Sequence, residues 1–465
     1  MKYVYTVLKG AVIMRIIVIG CGKIGSTIVE SLASEGHDVV ALDRSAEVIS
    51  ELTNIHDVMG VCGNGADSDI LIEAGVENAD MVIAVTASDE LNMLACFLAK
   101  KMGTSKTVAR IRNPEYNDNS LVFLKQNLEL DLAINPELLA AKGLYNILRL
   151  PSAVKIETFS VRNFEMIQLK LKEDSALIGK KLIDLRMEYS AKFLICAVQR
   201  GDKAYIPDGN FVLEAGDRIG LTASPAEIIK LFKELKIQKS RARNIMILGG
   251  SRTAYYLAKM LTVAGNSVTI IEKDRNLCED LCESLPKAVI INGDGAHQNL
   301  LLEEGLKTLD AFVGLTGFDE ENILISSFAS SKNVPKVIAK INRDELIPLA
   351  EHWGLDSIVS PRKLIADILV QYARGLSNSE GSSVETLYKL MDGMVEALEF
   401  IVKDDLPFLE KSFKELKMKP NTLIAGIIRE RKIIIPSGDD VLKAGDHVIV
   451  LAANHRLGTL SDILG

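Results

Sequence analysis

The sequence predicts an α/β architecture used twice: two doubly wound parallel-sheet lobes, each followed by a small α+β lobe, in tandem. Three observations predict it. The apolar run Arg15-Ile16-Ile17-Val18-Ile19 leads directly into Gly20-Cys21-Gly22-Lys23-Ile24-Gly25. The same arrangement returns in worn form 229 positions on, as Ile245-Met246-Ile247-Leu248 followed by Gly249-Gly250-Ser251-Arg252-Thr253-Ala254. Further landmarks keep nearly one offset: Asp43 and Glu272, Asp80 and Asp310, Asn92 and Asn322, Arg110 and Lys340, Pro207 and Pro436, Gly216-Asp217 and Gly445-Asp446. An offset shared by the first part of each repeat and by a later part means that a two-lobe unit was duplicated whole.

Strands of the first lobe are expected at 15–19, 39–43, 58–62, 81–86 and 107–111, with helical patterns between them. After the first strand, Ile24, Ile28 and Leu32 share one helix face, and Gly36 suits the helix C-terminus. The glycines have mechanical roles in such a Rossmann-like turn. Gly20 permits the sharp turn, Gly22 leaves no Cβ in the path of a pyrophosphate, and Gly25 lets helix and strand approach closely. The free N–H groups and dipole of the helix then favour an anion. Asp43 ends the next strand, 23 residues after Gly20, where a carboxylate accepts hydrogen bonds from ribose hydroxyls and repels a 2′-phosphate. Thr86, Ala87 and Arg110 lie at the C-terminal ends of later strands, the edge at which open α/β sheets bind ligands.

The second lobe is expected to have strands at 244–248, 268–272, 288–291, 311–315 and 337–341. It departs from the glycine pattern, because Ser251 and Ala254 replace the second and third glycines. Ser251 adds a Cβ and a hydroxyl where a pyrophosphate would pass, while Glu272 still offers a ribose carboxylate. Gly293-Asp294-Gly295 stands where the first lobe has Gly63-Asn64-Gly65, and Lys23 and Arg252 share the fourth motif position. Each parallel-sheet lobe is followed by a helix that starts at a proline, 136–148 and 361–373, suited to crossing to a partner or to dimerisation.

The first small lobe reads as short strands at 155–160, 168–171, 193–199, 204–206 and 218–222, with a helix at 225–235; the second repeats this at 395–463. The expected boundaries are 1–13 for an extension preceding Met14, 14–150 and 151–237 for the first repeat, and 238–383 and 384–465 for the second. The basic join 236–243 and the serine-rich stretch 377–383 read as connectors.

Composition narrows the function. With 54 basic and 62 acidic residues in 465, the net charge of −8 gives no support for a general nucleic-acid binder. Lys9 and Arg15 interrupt the apolar start, which argues against a membrane span there. The six cysteines show no CxxC pair or metal spacing, and a reducing compartment fits them. None of the six histidines sits in a recognisable catalytic setting. A nicotinamide-dependent dehydrogenase, the alternative reading of the glycine turn, would need a proton-transfer residue and a substrate domain.

The segments IIVIGCGKIG, VVALDRS, ADMVIAVTASDELNMLACFLA and KTVARIR, with SVTIIEKD, INGDGAHQNLLLEEGL, DAFVGLTGFDEENILISSFA and VIAKIN, resemble the TrkA family of Trk-system potassium-uptake regulatory proteins. IPDGNFVLEAGDRIGL and IPSGDDVLKAGDHVIVLA resemble the strand pair ending each small lobe of that family. The resemblance spans nearly the whole chain after residue 13. It implies two RCK units, each a nucleotide-binding KTN lobe with a small RCK C-terminal lobe. It also implies a non-enzymatic, cytoplasmic, peripheral regulatory subunit on an integral membrane potassium-transporting subunit. The chain would assemble as a homo-oligomer, a tetramer forming a ring of eight RCK units. The first repeat would bind NAD(H) through Gly20, Cys21, Gly22, Lys23, Ile24, Gly25, Asp43, Arg44, Thr86, Ala87 and Arg110. The second would bind ATP/ADP or NAD(H) through Gly249, Ser251, Arg252, Glu272 and Thr316.

Overall fold

A computed structural model describes residues 13–114, 116, 118–149, 155–158, 165–236, 242–355, 357–378, 384–430, 432–453, 457 and 459–465. Residues 1–12 of the expected extension, the middle of the basic join, most of the serine-rich join and the expected strand end at Ser160 lie outside these residues.

The first lobe runs β1 (Arg15–Ile19), α1 (Lys23–Ser34), β2 (Asp38–Asp43), α2 (Ala46–Ile55), β3 (Met59–Cys62), α3 (Ser68–Glu73), β4 (Met81–Ala84), α4 (Asp89–Lys101), β5 (Lys106–Arg110), α5 (Asp118–Asn127), β6 (Leu132–Ile134) and α6 (Pro136–Arg149). Its strands form one parallel sheet in the order β3-β2-β1-β4-β5-β6. The order reverses between β1 and β4, and the crevice at that switch point is the standard ligand position of the fold. Strands β1 and β4 are apolar almost throughout because helices cover both faces of the sheet. Strand β6 was not anticipated, since three residues carry too little alternation to register as a strand.

The first small lobe contains β7 (Lys155–Thr158), β8 (Glu165–Lys170), α7 (Leu182–Glu188), β9 (Leu194–Arg200), β10 (Lys203–Tyr205), β11 (Arg218–Ala223) and α8 (Pro225–Glu234). Its antiparallel sheet has the order β10-β9-β11-β8-β7. The helix α7 is an addition to the sequence reading. Ser224 caps α8 by accepting from the Glu227 N–H, and Pro225 opens it.

The second parallel sheet is built from β12 (Asn244–Leu248), α9 (Arg252–Val263), β13 (Ser267–Glu272), α10 (Arg275–Ser284), β14 (Val289–Asn292), α11 (Gln298–Glu303), β15 (Ala311–Gly314), α12 (Asp319–Ser331), β16 (Lys336–Lys340), α13 (Ile347–His352), β17 (Ile358–Val359) and α14 (Pro361–Asn378). Its order, β14-β13-β12-β15-β16-β17, repeats the first. The second small lobe holds β18 (Val384–Leu390), β19 (Val395–Ile401), β20 (Thr422–Arg429), β21 (Lys432–Ile434) and β22 (His447–Ala453). Its order is β18-β19-β22-β20-β21. It ends, among its described residues, in the short 3-10 turn Leu460–Ile463 where the first repeat has α8.

The chain divides into two compact units. One combines the residues up to Ala140 with Ser360–Ser377; the other combines Ala141–Val359 with Asn378–Gly465. In the first unit, Ile365, Ala366, Leu369, Val370 and Ala373 of α14 are buried with Ile16, Val18, Ile28 and Leu32 around the first parallel sheet. In the second, Ala141, Leu144, Ile147 and Leu148 of α6 are buried with Ile245, Ile247 and Leu257 around the second. Each helix that follows a parallel sheet in sequence therefore covers the sheet of the other repeat. The two small lobes also share a core, in which Met166, Cys196 and Ala197 meet Tyr388, Leu390, Ile428 and Leu451. Thr222 donates its hydroxyl to the Ala425 carbonyl within this buried interface, at 3.1 Å.

Candidate functional site

The turn from β1 to α1 is closed by hydrogen bonds to its own neighbourhood. Gly20 has φ +89°, and a Cβ there would lie 2.8 Å from the Thr86 nitrogen and Cα, so the position requires glycine for both strain and space. A Cβ on Gly25 would overlap the Gly20 carbonyl oxygen. Gly22 differs from both, because a Cβ there would meet nothing within 4 Å. Its openness marks the place where a ligand backbone can approach. Gly22 precedes α1 without any side-chain cap, so no side-chain oxygen takes up the first N–H groups of the helix.

Asp43, at the end of β2, accepts the Cys21 N–H at 2.7 Å through one carboxylate oxygen and the Ser45 N–H at 2.9 Å through the other. Both oxygens keep further acceptor capacity for hydroxyl donors. Ser26 donates its hydroxyl to the Cys21 carbonyl at 2.6 Å and pins the turn from the other side. The Cys21 thiol is pushed up to about 12, mainly by burial and then by the Asp43 charge beside it, so it stands as a packed neutral group. Arg44 is exposed and donates to the Asn64 side chain at 2.8 Å; Lys23 is exposed at the start of α1.

The far wall is the end of β4. Asn92, wholly buried, accepts from the Thr86 N–H and hydroxyl, both at 2.7 Å, and donates to the Arg110 carbonyl at 2.9 Å. Arg110 is 7 % exposed, and its guanidinium donates to the Thr86 carbonyl. It supports the wall from beneath, while Ala87 is exposed on top. Thus the turn, Asp43, Arg44, Thr86 and Ala87 gather at the C-terminal edge of the sheet. Asn92 had figured only as a repeat landmark; its pairing with Asn322 was the signal for a shared role.

The second repeat reproduces the frame. Gly249 has φ +94°, and Glu272 accepts the Gly250 N–H at 2.6 Å and the Asp274 N–H at 2.8 Å. Asn322 accepts from the Thr316 N–H at 2.8 Å and its hydroxyl at 2.9 Å. A cleft of 260 Å³ opens here, lined in part by Gly249, Ser251, Glu272, Asp294, Thr316, Phe318 and Glu321. Ser251 is the altered element. Its backbone is extended (φ −60°, ψ 164°) as at Gly22, but its hydroxyl accepts the Ala254 N–H at 3.4 Å. Arg252 is exposed and does not line the cleft. Lys273, opposite Arg44 in the repeat, lies 5.8 Å from the centre of the Phe318 ring. No group of His, Cys, Asp and Glu among the described residues has a metal-holding arrangement.

The TrkA-N domain family matches residues 16–136 and again 245–361, and the TrkA-C domain family matches 166–236 and 397–465. The chain is 32% identical over 447 residues to Trk system potassium uptake protein TrkA homolog 1 of Methanosarcina mazei, covering 94% of this chain and 97% of that protein. It is 30% identical over 451 residues to Trk system potassium uptake protein TrkA of Haemophilus influenzae, covering 95% and 96%. The solved GsuK channel bound to NAD shares the fold with a TM-score of 0.62 at 17% identity, over 95% of this chain and 77% of that one. The duplicated fold, the twice-matched domains and the full-length relatives together mean that the chain belongs to the TrkA family.

Proposed function

We propose that the chain is a nucleotide-sensing regulatory subunit of a membrane potassium-transporting protein, acting at the cytoplasmic face as a homo-oligomeric ring of RCK units, four chains giving eight. The observation that carries this reading is the open approach at Gly22 beside the Asp43 carboxylate, present in a chain that duplicates the lobe. The relatives named for Trk-system potassium uptake support the physiological setting, and the NAD-bound channel of like fold supports the ligand class. No described helix is long and apolar enough to cross a membrane, so transport would be the work of a partner.

The first cleft fits NAD(H). Gly20, Cys21, Gly22, Lys23, Ile24 and Gly25 would hold the pyrophosphate at the start of α1. Asp43 would take the ribose hydroxyls and Arg44 would border them, with Thr86 and Ala87 forming the opposing wall and Arg110 holding Thr86 in place. In the second cleft, Gly249, Ser251, Glu272 and Thr316 would border a ligand of altered chemistry, which the exposed Arg252 would have to reach from outside the lining.

A bound nucleotide regulates only by binding two arrangements of the ring with different affinity. Couplings of this kind typically amount to about 1–3 kcal/mol, or roughly 5–150-fold in affinity. The test joins calorimetric titration of NADH, NAD⁺, ATP and ADP with potassium flux through a Trk-type membrane subunit in proteoliposomes. Saturating NADH and saturating ATP should give different fluxes. Equal flux at every nucleotide, with binding intact, would overturn the regulatory reading.

A further inference from the structure

We infer that the second cleft takes a ribonucleoside carrying at most one phosphate, and rejects dinucleotides and triphosphates. The inference rests on the nucleotide-sensing reading above and assigns a ligand chemistry to its second site.

Three differences from the first cleft exclude a polyphosphate. Ser251 replaces the open Gly22, and its hydroxyl oxygen faces the third N–H of α9, the group a phosphate would otherwise use. That bond is long, so its effect is mainly to put a Cβ and an oxygen in the anion's path. Asp294 replaces Asn64 and Glu321 replaces Leu91, and both line the cleft. With Glu272, the lining then holds three carboxylates against the single ammonium of Lys273, whereas the matching first-lobe positions hold Asp43 and Arg44 alone. A polyphosphate entering this cleft would meet like charge on two additional sides.

The remaining features favour a sugar and a base. Glu272 is fixed by the Gly250 and Asp274 N–H groups and keeps acceptor capacity for a ribose diol. Phe318 replaces Ser88 at the rim and is 62% exposed; its ring, with the Lys273 ammonium 5.8 Å from its centre, would meet a flat base once that ammonium moves aside. Leu248, Ile271, Leu277 and Leu315 supply an apolar floor. The 260 Å³ of the cleft lies below the roughly 300–1,000 Å³ typical of drug-sized ligand sites, a size suited to one nucleoside.

The experiment is calorimetric titration of the full chain carrying Gly22→Asp, which places a carboxylate in the first cleft. The probes are adenosine, AMP, ATP and NADH. Adenosine and AMP should bind at one site per chain, with ATP and NADH at least tenfold weaker. Adding Ser251→Gly and Glu321→Leu should strengthen NADH at least tenfold and leave adenosine within about twofold. NADH or ATP binding as tightly as AMP in the Gly22→Asp chain overturns the inference. So does an absence of nucleoside binding in that chain when the unmodified chain binds NADH at its first site. If the unmodified chain binds no dinucleotide at all, the reading of the first cleft falls, while the adenosine titration still decides the second.

Discussion

Arg374 near the end of α14 donates from Nε to the Glu35 carboxylate at 3.0 Å, and Glu35 caps the C-terminus of α1. The Glu35 side chain is 4% exposed and that of Arg374 17%, so the pair is largely withdrawn from water. The helix that ends the second parallel lobe is thereby fixed to the first helix of the chain. Arg149 holds the matching place on α6 and pairs instead with Glu165 of β8, at 2.7 Å. The lobe that α6 covers has Ala264, not an acid, at the position of Glu35. The two exchanged helices are thus anchored differently although their apolar faces repeat.

Replacing Glu35 by alanine leaves the Arg374 guanidinium without this partner. Removing one member of a buried pair costs roughly 3–5 kcal/mol. Amide exchange followed by mass spectrometry should show faster exchange across residues 361–377, with residues 141–149 unchanged. Uniform exchange in both helices would show that the ion pair does not hold α14.

The three glycines of the first turn should separate fold from ligand. Gly25→Ala forces a Cβ into the Gly20 carbonyl, and Gly20→Ala forces a left-handed alanine against Thr86; both should lower the melting temperature by several degrees. Gly22→Ser meets open space and should melt like the unmodified chain. Its NADH affinity should nevertheless fall at least tenfold, as read by calorimetry.

Asp131 carries the clearest acid dependence. It accepts from Lys100 and Lys106 at 2.9 Å each and from the Thr107 N–H at 2.9 Å. Burial pushes its carboxyl up, but the Lys106 and Lys100 bonds outweigh this and hold it below the ordinary carboxylate range. A carboxylate with a depressed native pKa stabilises the fold above its unfolded value of about 3.9 and loses that contribution as pH falls through the native value. Lys106 is raised in turn, chiefly by its bond to Asp131, so its share is lost only as pH climbs beyond about 10.4. Asp131→Asn should therefore cost about 1–3 kcal/mol in urea unfolding at pH 7, and the gap from the unmodified chain should close below pH 4. A gap that persists at pH 3 would place the stabilisation elsewhere.

Thiol labelling checks the packing of the turn. Cys62 and Cys282 are exposed, whereas Cys21, Cys96 and Cys196 are buried with thiols pushed up to about 12, chiefly by burial. Iodoacetamide at pH 8 should modify Cys62 and Cys282 in the native chain and reach the buried Cys21, Cys96, Cys196 and Cys278 only after denaturation. Early labelling of Cys21 would show that the glycine turn opens spontaneously.

Much of the fold was legible in the sequence because its signals are local. Four-residue apolar runs, a glycine turn and an acidic residue at the next strand end are specified by neighbours in the chain, and the offset of 229 or 230 doubled each signal. The candidate clefts were legible to the same depth. Turn, carboxylate and wall all follow strand ends, and a parallel sheet collects strand ends along one edge.

Tertiary structure decided what local signals cannot carry. An amphipathic helix states that one face must be buried but not against which sheet, so the exchange of α6 and α14 emerged only from packing. A charged residue at a strand end carries no mark of its depth, so the burial of Arg110 and its bond to the Thr86 carbonyl emerged only from packing. Ser251 declared its bulk in the sequence, but only the backbone at the start of α9 turned its hydroxyl toward the Ala254 N–H. The sequence by itself determined two parallel lobes and the edge where each would meet a ligand. The chemistry open to the second of those edges was set by the three-dimensional gathering of Ser251 at the start of α9, Asp294 after β14, and Phe318 and Glu321 at the start of α12, three segments distant in sequence.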